Sequence, residues 1–411
     1  MLVESGCKNI PNPFRIRTEA MRPFTAVWLS HMLVEVFLLM HPALVPVFMS
    51  EFGLSVFQAG LLITIPNLCR LAIVIPTGIL ADKFGPKRFI ILSLLIGGSA
   101  ALFLSQSTSA LILMASLSMI MISATLYHPP GLSIVSGLFP NQAERSTAIG
   151  LHGASGCIGQ ALGTISLGLL LAQYGWRFCY LVFSIPLLVW MLVFARMRIS
   201  VHNAQSRLDT GEDVDSPDKS VEKASRNRSV KSLGFFLLML SMGFNALANN
   251  GVSSFMTTYM TQAENLSVEI ASIIFGAGPL VGIVGSIAAG YVSSRFGDKK
   301  TLVMIYLGQA VFLVGLIVAP SVYFATFSFL MYQLFLSALW TPSTSMVASL
   351  MGRTSGGTAY SLFYFSGDAL GAVSPMIAAI LITSFNLVAP FVFAIALLIL
   401  CALLVQLIRQ S

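Results

Sequence analysis

A short loop occurs twice in this chain, each time between two long apolar segments. The first copy runs from Gly78 to Arg88 and the second from Gly290 to Lys300, so corresponding glycines are 212 positions apart. The triplet Leu-Ser-Val at 54–56 recurs at 266–268 with the same offset. A fixed spacing maintained over such a distance indicates an internal duplication. We therefore predict two halves, each of about 200 residues and built in the same way.

The composition restricts these halves to a membrane environment. Of the 411 residues, 56% are hydrophobic and only 9% are charged. A helix needs ~20 apolar residues to cross a bilayer, and most of the apolar segments are near or above that length. We predict an all-α membrane protein with twelve transmembrane helices in two six-helix, pseudo-symmetric halves. The twelve spans, numbered in chain order, are 24–48, 57–81, 89–105, 109–138, 146–172, 177–196, 232–261, 267–292, 301–319, 321–350, 355–383 and 386–408.

Lysine and arginine lie on one side of this arrangement. With the N-terminus in the cytoplasm, 21 of the 23 Lys and Arg residues fall in segments on the cytoplasmic side. This bias predicts a multi-pass protein of the cell membrane with both termini in the cytoplasm. The net charge of +7 then reports topology and does not indicate a nucleic-acid partner. We predict a cytoplasmic tail at 1–22, a six-span half at 23–196, a disordered cytoplasmic linker at 197–231 and a second half at 232–411.

Few ionisable side chains fall within the spans. Each costs ~2.5–3.5 kcal/mol at the centre of a bilayer, so each needs a partner or water. They lie on spans 1, 2, 4, 5 and 11 and at similar depths. We predict that they surround a central cavity and form the substrate and proton-coupling site. These residues are His31, Glu35, Arg70, His128, His152 and Asp368.

Structural roles for the same residues stay open. Glu35 could pair with Arg70 as a lock between spans 1 and 2, and such a pair could also act in coupling when it breaks on protonation. His31 lies one helical turn before Glu35 and could belong to the same network. His128 and His152 either line the cavity or form hydrogen bonds between helices.

Prolines and glycines within the spans indicate further local features. Pro129 and Pro130 are predicted to interrupt span 4, either as a wall of the binding site or as a plain kink. The glycines of spans 5 and 8 are predicted to let helices pack closely.

The sequence gives no indication of an enzyme. It contains no Walker motif, no catalytic triad and no His or Cys spacing typical of a metal site. We therefore predict no catalytic residues, no cofactor and no bound metal.

The first loop follows the pattern G-x-x-x-D-x-x-G-x-K/R-K/R without a gap, and the second copy is degenerate, with Ser294 in place of the acid. Together with the twelve spans and the central linker, this resembles the major facilitator superfamily. The resemblance implies that the cavity is lined by spans 1, 4, 7 and 10 and that the two loops take part in gating. The residues concerned are Gly78, Asp82, Gly85, Lys87, Arg88, Gly290, Gly297, Lys299 and Lys300.

A narrower likeness concerns spans 1 and 4. Ser30-His31 with Glu35, and the run Tyr127-His128-Pro129, resemble the fosmidomycin-resistance type of efflux permease, although Pro130 stands where that branch has an acid. We predict a monomeric secondary active transporter of small organic molecules that works by alternating access and is coupled to protons, in efflux or exchange. The alternatives are uptake of an organic anion, which the basic character of the cavity favours, and a membrane sensor that does not transport.

Overall fold

The computed structural model describes residues 18–139, 142–199, 233–351 and 356–408. Within these ranges, eleven helices are long and apolar enough to cross a membrane. The longest contains two spans, because Gly175 adopts φ 74° and ψ 166° and breaks the helical path. The predicted fold class is therefore confirmed. Most of the predicted tail at 1–22 and of the predicted linker at 197–231 lies outside the described residues.

The helices begin and end close to the predicted spans, and spans 1 and 10 are broken into shorter pieces. Span 1 comprises Thr18–Glu35, Met40–Ala43 and Val45–Phe52, and spans 2 to 4 are Val56–Phe84, Pro86–Ser105 and Ala110–Leu138. Spans 5 and 6 share Gln142–Arg196, and spans 7 to 9 are Leu233–Gln262, Val268–Phe296 and Asp298–Ile317. Span 10 comprises Val322–Ala338 and Trp340–Met351, and spans 11 and 12 are Gly356–Ser384 and Ala389–Leu407.

The duplication is visible in how equivalent helices begin and end. Ser55 and Ser267, 212 positions apart, are the N-caps of spans 2 and 8 and accept hydrogen bonds from backbone amides three residues later. Spans 2 and 8 end at Gly85 and Gly297, with φ of 92° and 84°. Because side chains disfavour this backbone region, glycine is required at both helix ends.

The two repeated loops are held by equivalent lysines. The Nζ atom of Lys87 donates to the carbonyl oxygens of Ala195 at 2.9 Å and Met197 at 2.7 Å, where span 6 ends. Lys299 donates in the same way to the carbonyl oxygen of Ile408 at 2.8 Å, where span 12 ends. A helix end leaves carbonyl groups without intrahelical donors, and a positive charge there is favourable. Each lysine therefore ties its loop to the last span of its own half.

The two halves meet at the end of the bundle opposite the repeated loops. We call this end the far face, and the end that carries the loops the loop face. A Cβ on Gly60 of span 2 would lie 2.5 Å from the Cβ of Ala379 in span 11. A Cβ on Gly168 of span 5 would lie 2.5 Å from the carbonyl oxygen of Glu269 in span 8. At the far face, spans 2 and 11 and spans 5 and 8 are thus in close backbone contact.

The loop face shows no close glycine contact between the halves within the described residues. A Cβ on Gly78, further along span 2, would meet no atom within 4 Å, and the same holds for Gly150 and Gly153 at the loop-face end of span 5. Within the described residues, the hydrogen bonds and close glycine contacts that cross between the halves lie at mid-depth or nearer the far face. From these described contacts we infer a cavity between the halves that opens at the loop face.

Span 1 contributes to the far-face closure through its prolines. Pro46 has no N–H, so the carbonyl group of Pro42 cannot receive the usual helical hydrogen bond. The hydroxyl group of Thr257 in span 7 donates to this carbonyl oxygen at 2.9 Å. A backbone acceptor released by one half is thus satisfied by the other.

Most glycines of spans 5 and 8 pack within one half. Gly159 and Gly163 lie against the backbone of span 1, and Gly282 and Gly285 lie against span 10. The predicted close packing is therefore present, but the contacts between halves involve Gly168 and Gly276.

Candidate functional site

A cluster of polar side chains surrounds Glu35 inside the first half. Glu35 is the last residue of the first helix of span 1, and only 2% of its surface is exposed. The amide of Gln160 in span 5 donates to its Oε2 at 2.6 Å. Its Oε1 lies 2.9 Å from Nε2 of His128 and 3.9 Å from Nε2 of His31. We call His31, Glu35, His128, His152 and Gln160 the glutamate cluster.

Both histidines next to Glu35 are oriented by backbone carbonyl groups. Nδ1 of His31 lies 2.8 Å from the carbonyl oxygen of His152, and Nδ1 of His128 lies 2.6 Å from that of Ala124. A carbonyl oxygen only accepts, so each Nδ1 carries the hydrogen. In both rings, Nε2 is therefore the atom directed toward Glu35.

Aromatic stacking supports the same arrangement. The ring of His31 stacks on that of His152 with centroids 4.3 Å apart and on that of Tyr127 at 5.1 Å. The hydroxyl group of Tyr127 is itself held by the carbonyl oxygen of Val27 at 2.6 Å. His152 thus acts as a packing partner within the described residues, and its ring contributes to the position of His31.

Span 4 carries His128 to the cavity without a break. The helix Ala110–Leu138 continues through Pro129 and Pro130, so the predicted interruption is wrong as a break in the helix, and the binding-site wall and the plain kink both stay predictions. The side chain of His128 is 45% exposed, in contrast to the buried Glu35 behind it. His128 therefore forms the boundary between Glu35 and the cavity.

The second polar group joins the two halves. Nη2 of Arg70 in span 2 donates to Oδ1 of Asp368 in span 11 at 3.3 Å, and the two side chains are 38% and 37% exposed. Asn67 and Asn250 line the same pocket. The alternative lock between Glu35 and Arg70 is not formed, because Arg70 pairs with the acid of the opposite half.

An apolar layer separates the Arg70–Asp368 pair from the far face. Its buried side chains come from spans 1, 2, 7 and 11. Arg70 follows Gly60 by ten residues along span 2, which places it about 15 Å deeper. The Arg70–Asp368 pair thus lies directly beneath the apolar layer, on the side of the cavity. The residues of the apolar layer are Val45, Ala59, Ile63, Phe255, Ala378 and Ala379.

The six predicted site residues therefore form two groups. Four of them belong to the glutamate cluster, and Arg70 and Asp368 form the pair between the halves. Sequence reasoning missed Gln160, Asn67 and Asn250. Asn67 lies one helical turn before Arg70, which was a usable signal, whereas nothing local distinguishes Gln160 or Asn250. The binding roles of all these residues remain predictions.

Some of the predicted gating residues form structural contacts or end helices, whereas Asp82 is exposed. Lys87 and Lys299 are anchored as described above, and Gly85 and Gly297 end their helices. Asp82 is exposed, and it has no hydrogen bond or ion pair within the described part of the chain. The superfamily resemblance implies that Asp82 caps the start of span 11. Residues 352–355, which precede span 11, lie outside the described part of the chain.

A further polar group lies in the second half but does not reach the cavity. Asn249 of span 7 donates to the side chains of Asn245 at 2.8 Å and Gln309 at 3.0 Å, and it accepts from the hydroxyl group of Tyr332. All four side chains are buried. Their hydrogen bonds connect spans 7, 9 and 10 and specify packing within this half.

Comparisons with known proteins agree with this architecture. The cis,cis-muconate transport protein of Acinetobacter baylyi is 28% identical over 275 residues, covering 64% of each chain. The fosmidomycin resistance protein of Escherichia coli is 23% identical over 290 residues, which cover 70% of this chain and 68% of that protein. A bacterial homologue of the human lysosomal transporter Spinster has the same fold, with a TM-score of 0.78 at 17% identity over 97% of this chain and all of that one.

The match to a protein family is more extensive. Residues 27–375 and 238–410 match the Major Facilitator Superfamily, so both halves are covered. The predicted resemblance is thereby confirmed, and the twelve spans are those of a multi-pass membrane protein. The chain belongs to the Major Facilitator Superfamily.

Proposed function

We propose that this protein is a secondary active transporter that carries small organic anions by alternating access. The observation that carries the proposal is the Arg70–Asp368 pair, which lies between the halves at the floor of a cavity open at the loop face. Inverted or repeated halves that rock around a site at mid-depth are the usual architecture of such transporters. The pair is positioned to sense both a substrate in the cavity and the relative position of the halves.

The chemistry of the pocket favours an anion. Within the described residues, Arg70 makes one 3.3 Å hydrogen bond, to Asp368, which leaves most of its five N–H donors for a ligand. A guanidinium group binds carboxylate or phosphonate groups in a planar, two-point arrangement. Asn67 and Asn250 add amide donors beside it. One relative is named for the transport of cis,cis-muconate, a dicarboxylate, which is consistent with this chemistry.

Coupling to protons is best assigned to Asp368. A neighbouring cation favours the charged form of a carboxyl group, and its removal favours the protonated form. Because Arg70 and Asp368 belong to different halves, rocking or a bound anion changes their separation. Glu35, the other candidate, accepts from Gln160 and lies 2.9 Å from Nε2 of His128; both residues belong to its own half, so rocking leaves these neighbours in place.

The distribution of Lys and Arg supports the proposed orientation. The loop face carries the repeated loops and is predicted to be cytoplasmic, so the described state is inward-facing. Efflux or exchange is the favoured direction, and uptake of an organic anion is the alternative.

Flux in proteoliposomes tests this proposal. Purified protein is reconstituted, and counterflow of labelled organic acids, with cis,cis-muconate first, is measured. Arg70→Lys should reduce the affinity for the transported anion about tenfold or more, since Lys cannot reproduce the two-point contact. Arg196→Lys, a like substitution at the loop-face end of span 6, should leave the affinity unchanged. Equal affinity in the Arg70→Lys variant contradicts the anion site, and binding without flux favours the sensor.

A second measurement separates the two candidate proton carriers. Asp368→Asn should abolish accumulation driven by a pH gradient while leaving counterflow measurable, because the residue can no longer release a proton. Glu35→Gln should retain accumulation driven by the gradient. The reverse result assigns coupling to Glu35, and retention in both variants rules out proton coupling through either acid.

A further inference from the structure

Three potential metal ligands converge within the glutamate cluster. One ligand atom each from His31, Glu35 and His128 lies within 4.8 Å of the other two. The residues come from spans 1 and 4, and 93 positions separate the two helical segments (35 to 128). This separation along the chain explains why the sequence showed no metal spacing and why it led to the prediction of no bound metal.

The protonation pattern of the histidines directs lone pairs toward one point. Nδ1–H of His31 and of His128 is committed to a backbone carbonyl group, so neutral imidazoles present unprotonated Nε2 atoms to Glu35. Histidine ligands of metal ions donate their other ring N–H to just such acceptors. Two nitrogen lone pairs and a carboxylate oxygen that face one another are stabilised by a cation between them, which is either a proton on one Nε2 or a metal ion.

The carboxylate oxygen in question lacks a well-aligned donor. Oε2 of Glu35 accepts from Gln160, whereas Oε1 is buried and has no hydrogen bond within the described residues. Nε2 of His128 lies 2.9 Å from it, but in the neutral ring the hydrogen is on Nδ1, so Nε2 has none to donate. A buried carboxylate oxygen without a donor is costly unless a cation satisfies it.

The distances suit a small transition-metal ion. Ligand atoms on a tetrahedral Zn²⁺ with bonds of ~2.1 Å lie roughly 3.4 Å apart. The observed separations of Oε1 from the two Nε2 atoms, 2.9 and 3.9 Å, lie on either side of that value. Two imidazoles and one carboxylate suit Zn²⁺ or Co²⁺ better than Mg²⁺ or Ca²⁺.

The cluster is also supported and accessible. A Cβ on Gly156 would lie 2.8 Å from Cε1 of His31, so glycine leaves room for the ring. Stacking on Tyr127 and His152 fixes the same ring. His128, nearly half exposed, provides the route from the cavity.

We propose that His31, Glu35 and His128 bind one divalent transition-metal ion of the Zn²⁺ class, with a fourth coordination position directed toward the cavity. The site is separate from the Arg70–Asp368 pair and does not require the proposed transport activity.

Binding of Co²⁺ to the full-length protein tests the site. The protein is purified in detergent with an affinity tag that contains no histidine and is stripped of metal. Co²⁺ is then titrated while visible absorption and the thermal unfolding midpoint are recorded. Wild type should bind one Co²⁺ per chain, with visible absorption bands of low-coordinate cobalt and a midpoint that rises with the Co²⁺ concentration.

The variants provide the decision. His128→Ala and the isosteric Glu35→Gln should each weaken Co²⁺ binding at least about tenfold. Even the loss of a residue that only supports a metal ligand lowers affinity by this amount, and a ligand should cost no less. His202→Ala, which changes the histidine of the predicted linker, should bind Co²⁺ like wild type. Both cluster variants are first shown to elute as single species and to unfold cooperatively without metal. Absence of binding in wild type, or wild-type affinity in either folded cluster variant, overturns the proposal.

Discussion

Gly60 offers a direct test of how the far face is closed. In the described state, spans 2 and 11 touch at this position. An added Cβ would lie 2.5 Å from the Cβ of Ala379 and 3.0 Å from the carbonyl oxygen of Pro375. Neither atom belongs to a flexible side chain, so the new methyl group must separate the two helices. We predict that Gly60→Ala shifts the protein from the state open at the loop face toward the state open at the far face.

The expected size of this shift follows from the overlap between the added methyl group and span 11. Inserting a methyl group into a tightly packed contact costs about 1–3 kcal/mol. The clash exists only where spans 2 and 11 meet, so this energy acts on one of the two states. A differential of this size changes the ratio of the two states by roughly 5- to 150-fold.

Distances between spin labels measure that ratio. Two label pairs are used. One pair has a label at the far-face end of each half, and the other pair has a label at the loop-face end of each half. Gly60→Ala should lengthen the far-face distance and shorten the loop-face distance. Gly168→Ala should act in the same direction, because its Cβ would lie 2.5 Å from the carbonyl oxygen of Glu269 in the other half. Gly153→Ala is the matched control, since no atom lies within 4 Å of its added Cβ.

The contrast among these three variants decides whether close backbone contacts keep the far face closed. Unchanged distributions in Gly60→Ala and Gly168→Ala, or an equal shift in Gly153→Ala, would refute the far-face closure described here. A variant that merely unfolds is recognised by its elution profile before labelling.

Three further expectations concern the loops and the ends of the spans. Lys87→Met should lower the thermal unfolding midpoint, because two charge-assisted hydrogen bonds of ~1.5–3 kcal/mol each are lost, whereas Lys300→Met should not. Asp82→Asn should move the spin-label distances further toward the state open at the loop face, as expected if its carboxylate caps a helix N-terminus in the opposite state; an unchanged distribution would contradict that role. Glu51→Gln should lower the unfolding midpoint modestly, since Glu51 accepts from Arg177 at 2.6 Å and from Trp176 at 2.7 Å in a partly exposed pair worth about 1 kcal/mol; an unchanged midpoint would contradict it.

The spans were predictable because their signals are local. Apolar length marks each helix, and the positive φ of Gly85 and Gly297 lies at loops that the repeat had already identified. The break between spans 5 and 6 at Gly175 coincides with the short gap between two apolar segments. Length and hydropathy are properties of one segment at a time, so no knowledge of helix packing was needed.

The partners of the buried charges were not predictable in the same way. The residues themselves could be identified, since an ionisable side chain within an apolar segment is rare. Arg70 and Asp368, however, are 298 positions apart, and their contact depends on how two halves are rotated against each other. Glu35 was the mid-span acid in the same half as Arg70, but spans 1 and 2 direct these side chains to different neighbours. Rotation of a helix about its axis, which sequence does not specify, decided the pairing.

The prolines of span 1 connect local chemistry to the transport cycle. Pro46 has no N–H to donate to the carbonyl group of Pro42, and Thr257 of the other half donates to this carbonyl group across the closed far face. When the halves separate there, this carbonyl group must find water, which the opening cavity provides. The cost of losing one hydrogen bond is then about 1 kcal/mol. It is similar in size to the differences that separate transporter states, so a proline can tune the balance between them without contacting the substrate.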